Sequence, residues 1–228
     1  MVSIESNLQE VKRRIGAACA AAARDAQSVT LLAVSKTFGA GAVREAFAAG
    51  QAAFGENYVQ EALAKIDSLA DLAIEWHLIG PLQSNKTGPA ARAFDWVHSV
   101  DRLKIATRLA EQRPPGMPPL QLCLQVNVSG ESSKSGVAPR ELPALAHAVA
   151  ALPRERVVLR GLMAIPEPAA GFEAQRAPHR RLHELLLGLR AEGLSLDTLS
   201  MGMSADLEAA VAEGATIVRV GTAIFGTR

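Results

Sequence analysis

Residues 30–38 read TLLAVSKTF, and this stretch sets the pattern for the rest of the chain. Its apolar run, residues 31–34, is typical of a buried strand and stops abruptly at Ser35-Lys36-Thr37. A lysine that follows a buried strand can be enclosed by apolar walls, which favour the neutral, nucleophilic amine. Such an amine forms Schiff bases with aldehydes. The plainer alternative is a solvated lysine at a strand end.

Strand-like and helical patterns alternate along the chain after an N-terminal helical pattern at residues 6–24. Short apolar runs predict eight strands, at residues 30–35, 52–55, 75–80, 96–99, 120–128, 157–164, 198–201 and 216–220. Because helical patterns separate them, the strands are expected to be parallel and joined by right-handed crossovers. Eight such units predict an α/β fold, a single (β/α)8 barrel domain over residues 1–228 with an extra N-terminal helix. An open doubly wound sheet is the alternative, and the weak glycine-rich phosphate signal disfavours it.

Composition excludes several classes of function. Lys and Arg total 24 and Asp and Glu total 23, so no bulk charge attracts nucleic acid or a membrane surface. Cys19 and Cys123 lie in patterns of buried elements and lack metal-ligand spacing, and His179 and His183 are expected on a solvated helix face. Neither a secretory signal nor an apolar run of membrane-spanning length is present. We therefore expect a cytoplasmic protein without a metal, and a monomer, because no heptad or apolar patch indicates association.

The predicted carboxyl ends of the last two strands carry an anion-binding pattern. Gly202-Met203-Ser204 precedes a helical pattern at residues 205–213, where the first backbone N–H groups and the Ser204 hydroxyl can bind an anion. Gly221-Thr222 follows the last strand and adds further N–H groups. Barrels of this architecture often hold a phosphate at this place. The plainer alternative is that Ser204 only caps its helix, which leaves Gly221-Thr222 unexplained.

Two more polar residues are predicted at the mouth of the barrel. Arg219 interrupts an apolar strand and needs an acceptor, either a structural carboxylate or a ligand atom such as a pyridine nitrogen. An arginine keeps its proton, so it would leave that nitrogen unprotonated and make the ring a weaker electron sink. Asn57 either caps the following helix or bonds a ring substituent of a ligand held by Lys36. Asp101 is expected to cap the helical pattern at residues 102–112. His77 and His98 are expected to be core or rim histidines.

Segments spread over nearly the whole chain resemble the YggS/PLPBP family, the pyridoxal phosphate homeostasis proteins: LLAVSKT, FGENYVQE, WHLIGPLQSNK, HSVDR, NVSGESSKSGV, RGLMAIP, LSMGMSADLEAA and RVGTAIFG. The resemblance implies a barrel like the N-terminal domain of alanine racemase, with pyridoxal 5'-phosphate held as an internal aldimine on Lys36. It also implies cofactor contacts at other strand ends: Asn57 beside the ring, Arg219 at the pyridine nitrogen, and Ser200, Met203, Ser204, Gly221 and Thr222 around the phosphate.

The same resemblance implies a binder and carrier of the cofactor, active in vitamin B6 and amino-acid homeostasis, without established turnover. The expected partners are pyridoxal phosphate and apo-enzymes that use it. Lys134, in a serine-rich loop, is either a second aldehyde-reactive lysine or an ordinary exposed one.

Two other functions fit parts of the sequence. A pyridoxal phosphate-dependent amino-acid racemase needs a second acid or base opposite the lysine. Racemases that resemble this chain take a tyrosine from a separate domain, whereas Tyr58, the only tyrosine here, is predicted at the start of a helix. A nucleotide-binding module would use Gly39-Ala40-Gly41, but Arg44 stands at the third glycine position of that motif. A cofactor carrier is therefore the preferred prediction.

Overall fold

The structure is a computed structural model that describes residues 3–129 and 135–226. Within them lie eight strands: β1 (Thr30–Val34), β2 (Ala53–Glu56), β3 (Glu75–Leu78), β4 (Trp96–Val100), β5 (Leu120–Gln125), β6 (Val157–Met163), β7 (Thr198–Ser200) and β8 (Ile217–Val220). Each strand is parallel to the next, and β8 pairs with β1, so the sheet closes into a barrel. This confirms the predicted (β/α)8 fold.

Helices follow the strands and surround the barrel: α1 (Ile4–Ala21), α2 (Ala40–Ala48), α3 (Val59–Ser68), α4 (Thr87–Ala93), α5 (Leu103–Gln112), α6 (Leu142–Ala150), α7 (Phe172–Ala191), α8 (Leu207–Ala212) and α9 (Thr222–Phe225), with 3-10 turns at Ala26–Ser28 and Ser84–Lys86. The extra N-terminal helix α1 packs against α8 and α9. Helix α9 was not predicted, because four residues are too few to show a helical period. No helix in the described ranges combines the length and the apolar composition that crossing a bilayer requires.

Side chains of each strand alternate between two apolar layers. Leu31 and Ala33 of β1 pack outward against the helices, whereas Leu32 and Val34 belong to a separate cluster inside the barrel. Both faces of a parallel strand are therefore buried, which explains the nearly continuous apolar runs. By the same alternation, Arg219 shares the inward face of β8 with Ile217. This register brings a charged side chain to the barrel axis.

Two helix starts differ from the prediction. Asn57 does not cap α3, because the N-cap residue is Tyr58, and Asp101 does not cap α5, because the N-cap residue is Arg102. Neither Tyr58 nor Arg102 makes a side-chain capping bond. Both predictions placed the helix one residue too early, an error within the usual fraying of helix ends. Asn57 is thereby free of the capping role.

Candidate functional site

A cavity of about 620 Å³ lies at the carboxyl ends of the strands, within the size range of small-molecule sites. Seven of the predicted site residues line it: Lys36, Asn57, Met203, Ser204, Arg219, Gly221 and Thr222. Apolar side chains form the wall between them, among them Val34, Ile79 and Ile165. The structure therefore gathers the ends of β1, β2, β7 and β8 around one space.

Lys36 follows β1 at the rim of this cavity, and its side chain is exposed. The lysine is therefore not enclosed in the packed interior, because the strand has already ended, but the apolar side chains of the cavity wall lie on its inner side. No other described residue forms a hydrogen bond or ion pair with its Nζ atom. The amine is therefore open to a ligand that enters from solvent.

A buried ion pair supports the residue before Lys36. Lys65 Nζ donates to Ser35 O at 2.7 Å and to Glu56 Oε1 at 2.6 Å, and Ser35 Oγ donates to the same carboxylate oxygen. The Glu56 side chain is fully buried and that of Lys65 is 6% exposed. Burial raises the pKa of Glu56, although the bonds from Lys65 and Ser35 oppose this. Glu56 Oε2 has no partner among the described residues.

Thr37, the residue after Lys36, is held by α3, the helix that also carries Lys65. Thr37 has a φ of 68°, a left-handed conformation that costs free energy for a β-branched residue. Its N–H donates to Glu61 Oε1 at 2.6 Å, and that oxygen lies 3.0 Å from Lys65 Nζ. Glu61 and Lys65, one turn apart on α3, thus fix the backbone on both sides of Lys36. This clamp was not anticipated from the sequence.

The loop after β7 is shaped by Asp206 rather than by Ser204. Asp206 is the N-cap residue of α8, and its Oδ1 accepts the Met203 N–H at 2.6 Å. The capping alternative for Ser204 is therefore wrong, and the Met203 N–H is already engaged. Ser204 is half-buried, and its hydroxyl has no partner among the described residues. The Ser204 carbonyl accepts a hydrogen bond from Arg14 of α1 at 3.0 Å. Helix α1 therefore anchors the backbone of this loop.

His179 supports Asp206 from α7. His179 Nε2 lies 2.9 Å from Asp206 Oδ2, and the histidine is fully buried, so the expectation of a solvated face was wrong. Burial acts to raise the pKa of Asp206, but the bonds from His179 and Met203 outweigh it and lower the pKa below its usual value. The missed signal is periodicity, because His179 shares one face of α7 with Leu182, Leu186 and Leu189.

Glycines allow the close approaches at this end of the barrel. Gly202 has a φ of 91°, and a Cβ there would lie 2.4 Å from the Cβ of Ala210. A Cβ on Gly221 would lie 3.1 Å from Val34 O. Gly221 precedes α9, whose first N–H groups have no partners within the helix. Thr222 is exposed at the cavity, so N–H groups and a hydroxyl remain available to an anion.

Arg219 is 4% exposed and bonded to neutral oxygens. Its Nη1 donates to Ser200 O at 2.6 Å and to Ser200 Oγ at 2.8 Å, and its Nη2 donates to Ala164 O at 2.8 Å. The alternative of a carboxylate partner is therefore wrong within the described residues. Burial lowers the pKa of Arg219 to about 10, so the side chain stays charged at neutral pH. Two of its N–H groups remain for a ligand.

Ser200 is not part of the cavity lining. It is fully buried and makes hydrogen bonds to Arg219 and His98. The structure thus places it behind Arg219 rather than beside an anion. Lys134 lies outside the described residues. In the described part of the chain no group of three His, Cys, Asp or Glu side chains could hold a metal ion, and both cysteines are buried and free, as expected for small core residues.

Known proteins resemble this chain over its whole length. Residues 3–228 match the family model of the alanine racemase N-terminal domain. A pyridoxal phosphate homeostasis protein of Pseudomonas aeruginosa is 65% identical over 228 residues, which cover 100% of this chain and 97% of that protein. A protein of the same name from Escherichia coli K12 is 52% identical, covering 100% and 98%.

A solved structure extends the comparison to a ligand-bound state. PipY of Synechococcus elongatus PCC7942, with PLP bound, is 40% identical with a TM-score of 0.85, and the match covers 98% of this chain and 100% of that one. Together with the barrel and its cavity, these matches show that the chain belongs to the alanine racemase N-terminal domain family and, within it, to the pyridoxal phosphate homeostasis proteins.

Proposed function

We propose that this chain binds pyridoxal 5'-phosphate in the cavity at the strand ends and serves the homeostasis and supply of that cofactor. The observation that carries the proposal is the presence, in one cavity, of an unpartnered lysine amine after β1 and of hydroxyl and N–H donors at the ends of β7 and the neighbouring β8. A homologue whose structure holds PLP, 40% identical, supports the same ligand here.

Lys36 is the proposed attachment point. The cofactor supplies an aldehyde, which condenses with a primary amine with loss of one water molecule. Lys36 Nζ lines the cavity and has no competing partner among the described residues. The clamp formed by Glu61 and Lys65 holds the backbone on both sides of Lys36, so the side chain starts from a fixed point at the rim of the cavity.

The phosphate is proposed to lie between Ser204 and Gly221-Thr222. Both hydroxyls line the cavity, and the N–H groups that begin α9 need an acceptor from outside the helix. Met203 lines the wall of the cavity, but its N–H is not available to the phosphate because it already donates to Asp206. Ser200 contributes through Arg219, because it does not reach the cavity.

Arg219 is proposed to face the pyridine nitrogen, with Asn57 on the ring side. An arginine that is charged at neutral pH donates to this nitrogen and leaves it unprotonated. A ring in that state is a weaker electron sink, which favours storage of the cofactor over carbanion chemistry. Tyr58 is 59% exposed at the start of α3 and does not line the cavity. We therefore propose a carrier without turnover, acting as a monomer in the cytoplasm and delivering cofactor to apo-enzymes.

Absorbance spectroscopy and mass mapping test this function. The purified protein is mixed with pyridoxal phosphate, reduced with borohydride and digested. We expect the label on Lys36, and loss of the visible band in Lys36→Ala but not in Lys104→Ala, which changes an exposed lysine of α5. Label on Lys134 instead would move the attachment point, and no label at all would refute cofactor binding.

Two further measurements separate a carrier from an enzyme. A carrier should transfer its cofactor to an apo-enzyme, detected as restored activity of that enzyme, while leaving the α-proton of alanine in place in deuterated buffer. Rapid exchange of that proton would favour the racemase alternative instead.

A further inference from the structure

A line of buried polar side chains crosses the interior of the barrel behind the cavity. Arg219 Nη1 is 2.8 Å from Ser200 Oγ, which is 2.7 Å from His98 Nδ1. His98 Nε2 is 2.9 Å from His77 Nδ1, and His77 Nε2 is 2.6 Å from Glu75 Oε1. The two histidines and Ser200 are at most 1% exposed. Only Glu75, at the opposite end of the barrel, reaches solvent with a half-exposed side chain.

The two ends of the line together fix the direction of its bonds. An ionised Glu75 only accepts, so a neutral His77 carries its proton on Nε2 and donates to Glu75. His77 Nδ1 is then an acceptor, so a neutral His98 carries its proton on Nε2 and its Nδ1 accepts from the Ser200 O–H. At the other end a guanidinium only donates, so Ser200 Oγ accepts from Arg219 with a lone pair. Each donor meets one acceptor, and the line ends on a carboxylate.

The surroundings support neutral rings and an ionised end group. Burial lowers the pKa of His77. Burial, together with the neighbouring His77 ring and the charged Arg219, lowers the pKa of His98 well below its usual value. The bond from His77 lowers the pKa of Glu75. His77 stacks on Trp96, whose ring lies 5.1 Å from the Arg160 guanidinium, and Asp95 is the other nearby charge. With neutral histidines and an ionised Glu75, every hydrogen bond in the line has one donor and one acceptor, so no proton has to move from one residue to the next.

We propose that Ser200, His98, His77 and Glu75 form a one-way hydrogen-bond relay that positions Arg219 for the ligand in the cavity. They are positioning residues, since none of them lines the cavity. The relay holds Ser200 with a lone pair toward Arg219, and this keeps the guanidinium in one orientation with two N–H groups left over. The part of the proposal that concerns the ligand rests on the proposed function, whereas the proton positions do not.

Histidine tautomers provide a test that requires no cofactor. Long-range ¹H–¹⁵N spectra of the full chain should show His77 and His98 as neutral Nε2–H tautomers between pH 6 and 8. Assignment uses His77→Gln and His98→Gln. A protonated ring, or an Nδ1–H tautomer at either residue, would overturn the relay whether or not the protein binds pyridoxal phosphate.

Substitution of Ser200 tests whether the relay transmits its order. In Ser200→Ala, the His98 Nδ1 signal should move toward that of an unbonded ring nitrogen, and the His77 signals should follow. Ser200→Thr, which keeps the hydroxyl, should restore both. The matched control is Ser99→Ala, because Ser99 is also buried but donates to Gly80 O; it should leave both tautomers unchanged. Unchanged His98 and His77 signals in Ser200→Ala would contradict the proposal.

The effect on the ligand is a separate readout. Loss of the bond from Arg219 to Ser200 Oγ should weaken the apparent affinity for pyridoxal phosphate by about tenfold in Ser200→Ala, with recovery in Ser200→Thr. Unaltered affinity together with the expected tautomers would refute the positioning role and leave the proposed function intact. Failure of the wild-type chain to bind would refute the proposed function and leave the tautomer result standing.

Discussion

Replacement of Lys65 by methionine tests the buried charge cluster that supports Lys36. Methionine keeps most of the apolar stem but removes the ammonium group, which donates to Glu56 at 2.6 Å and to Ser35 O at 2.7 Å. The Glu56 carboxylate is fully buried, so water cannot replace the lost partner. Removing one member of a buried ion pair costs about 3–5 kcal/mol of unfolding free energy. The two lost hydrogen bonds from the charged ammonium group, at about 1.5–3 kcal/mol each, give a similar figure.

The dependence on pH identifies the cause. The pKa of Glu56 is already raised by burial, and loss of Lys65 raises it further. A carboxyl whose folded-state pKa exceeds the unfolded value binds its proton more tightly when folded, so stability falls as pH rises through the folded pKa. The difference between wild type and Lys65→Met should therefore be largest at pH 8 and shrink toward pH 5.

Urea denaturation at both pH values measures this difference, and for a chain of this length the loss corresponds to a fall in Tm of about 6–20 °C. Adding Glu56→Gln to Lys65→Met should recover most of the stability, because the uncompensated charge is then gone. Arg44→Ala, which breaks the exposed pair with Asp71, serves as a control and should not shift the midpoint. A loss below about 1 kcal/mol, or one that is independent of pH, would refute the reasoning.

Three further predictions concern other parts of the barrel. Gly202→Ala should lower stability by about 1–3 kcal/mol in thermal melts, because a Cβ meets a helix and φ is positive; Gly116→Ala, with positive φ but open space, should cost less, and equal losses would argue against the clash. The pKa of Glu75 is lowered by its bond from His77, so its stabilisation is present at neutral pH and lost as pH falls through that pKa. Glu75→Gln should therefore be less stable than wild type at pH 7 and converge with it in acid, and a constant gap would contradict this. Burial raises the pKa of Cys123 to about 12, so a thiol reagent should label it only in denaturant; rapid labelling of the native protein would contradict the core packing.

The barrel was predictable because both faces of each strand are buried, so apolar runs alternate with helical periods at regular spacing. Element ends were less certain, as at Asn57 and Asp101, where a side chain suited to capping lies one residue before the true N-cap. Local propensity does not decide between neighbouring residues at a helix start.

The positions of the site residues followed from the fold, because strand ends of one barrel meet at one rim. Their immediate partners did not follow. That Ser200 lies behind Arg219, that Asp206 takes the Met203 N–H, and that Lys65 reaches Ser35 all depend on side-chain directions across elements distant in sequence. The exposure of Lys36 likewise depends on where β1 stops, which an apolar run defines only to within a residue or two.

The pairing of β1 with β8 has a consequence for biosynthesis. Thr30 lies opposite Ile217 and Ala33 opposite Val220, so the lysine after the first strand and the donors after the last strand lie side by side at the cavity. A growing polypeptide on the ribosome has the lysine long before it has the residues that face it. Because β8 must pair with β1 to close the barrel, the complete cavity is expected to form only after the last strand has been synthesised, and a ligand that binds there would then stabilise the closed barrel.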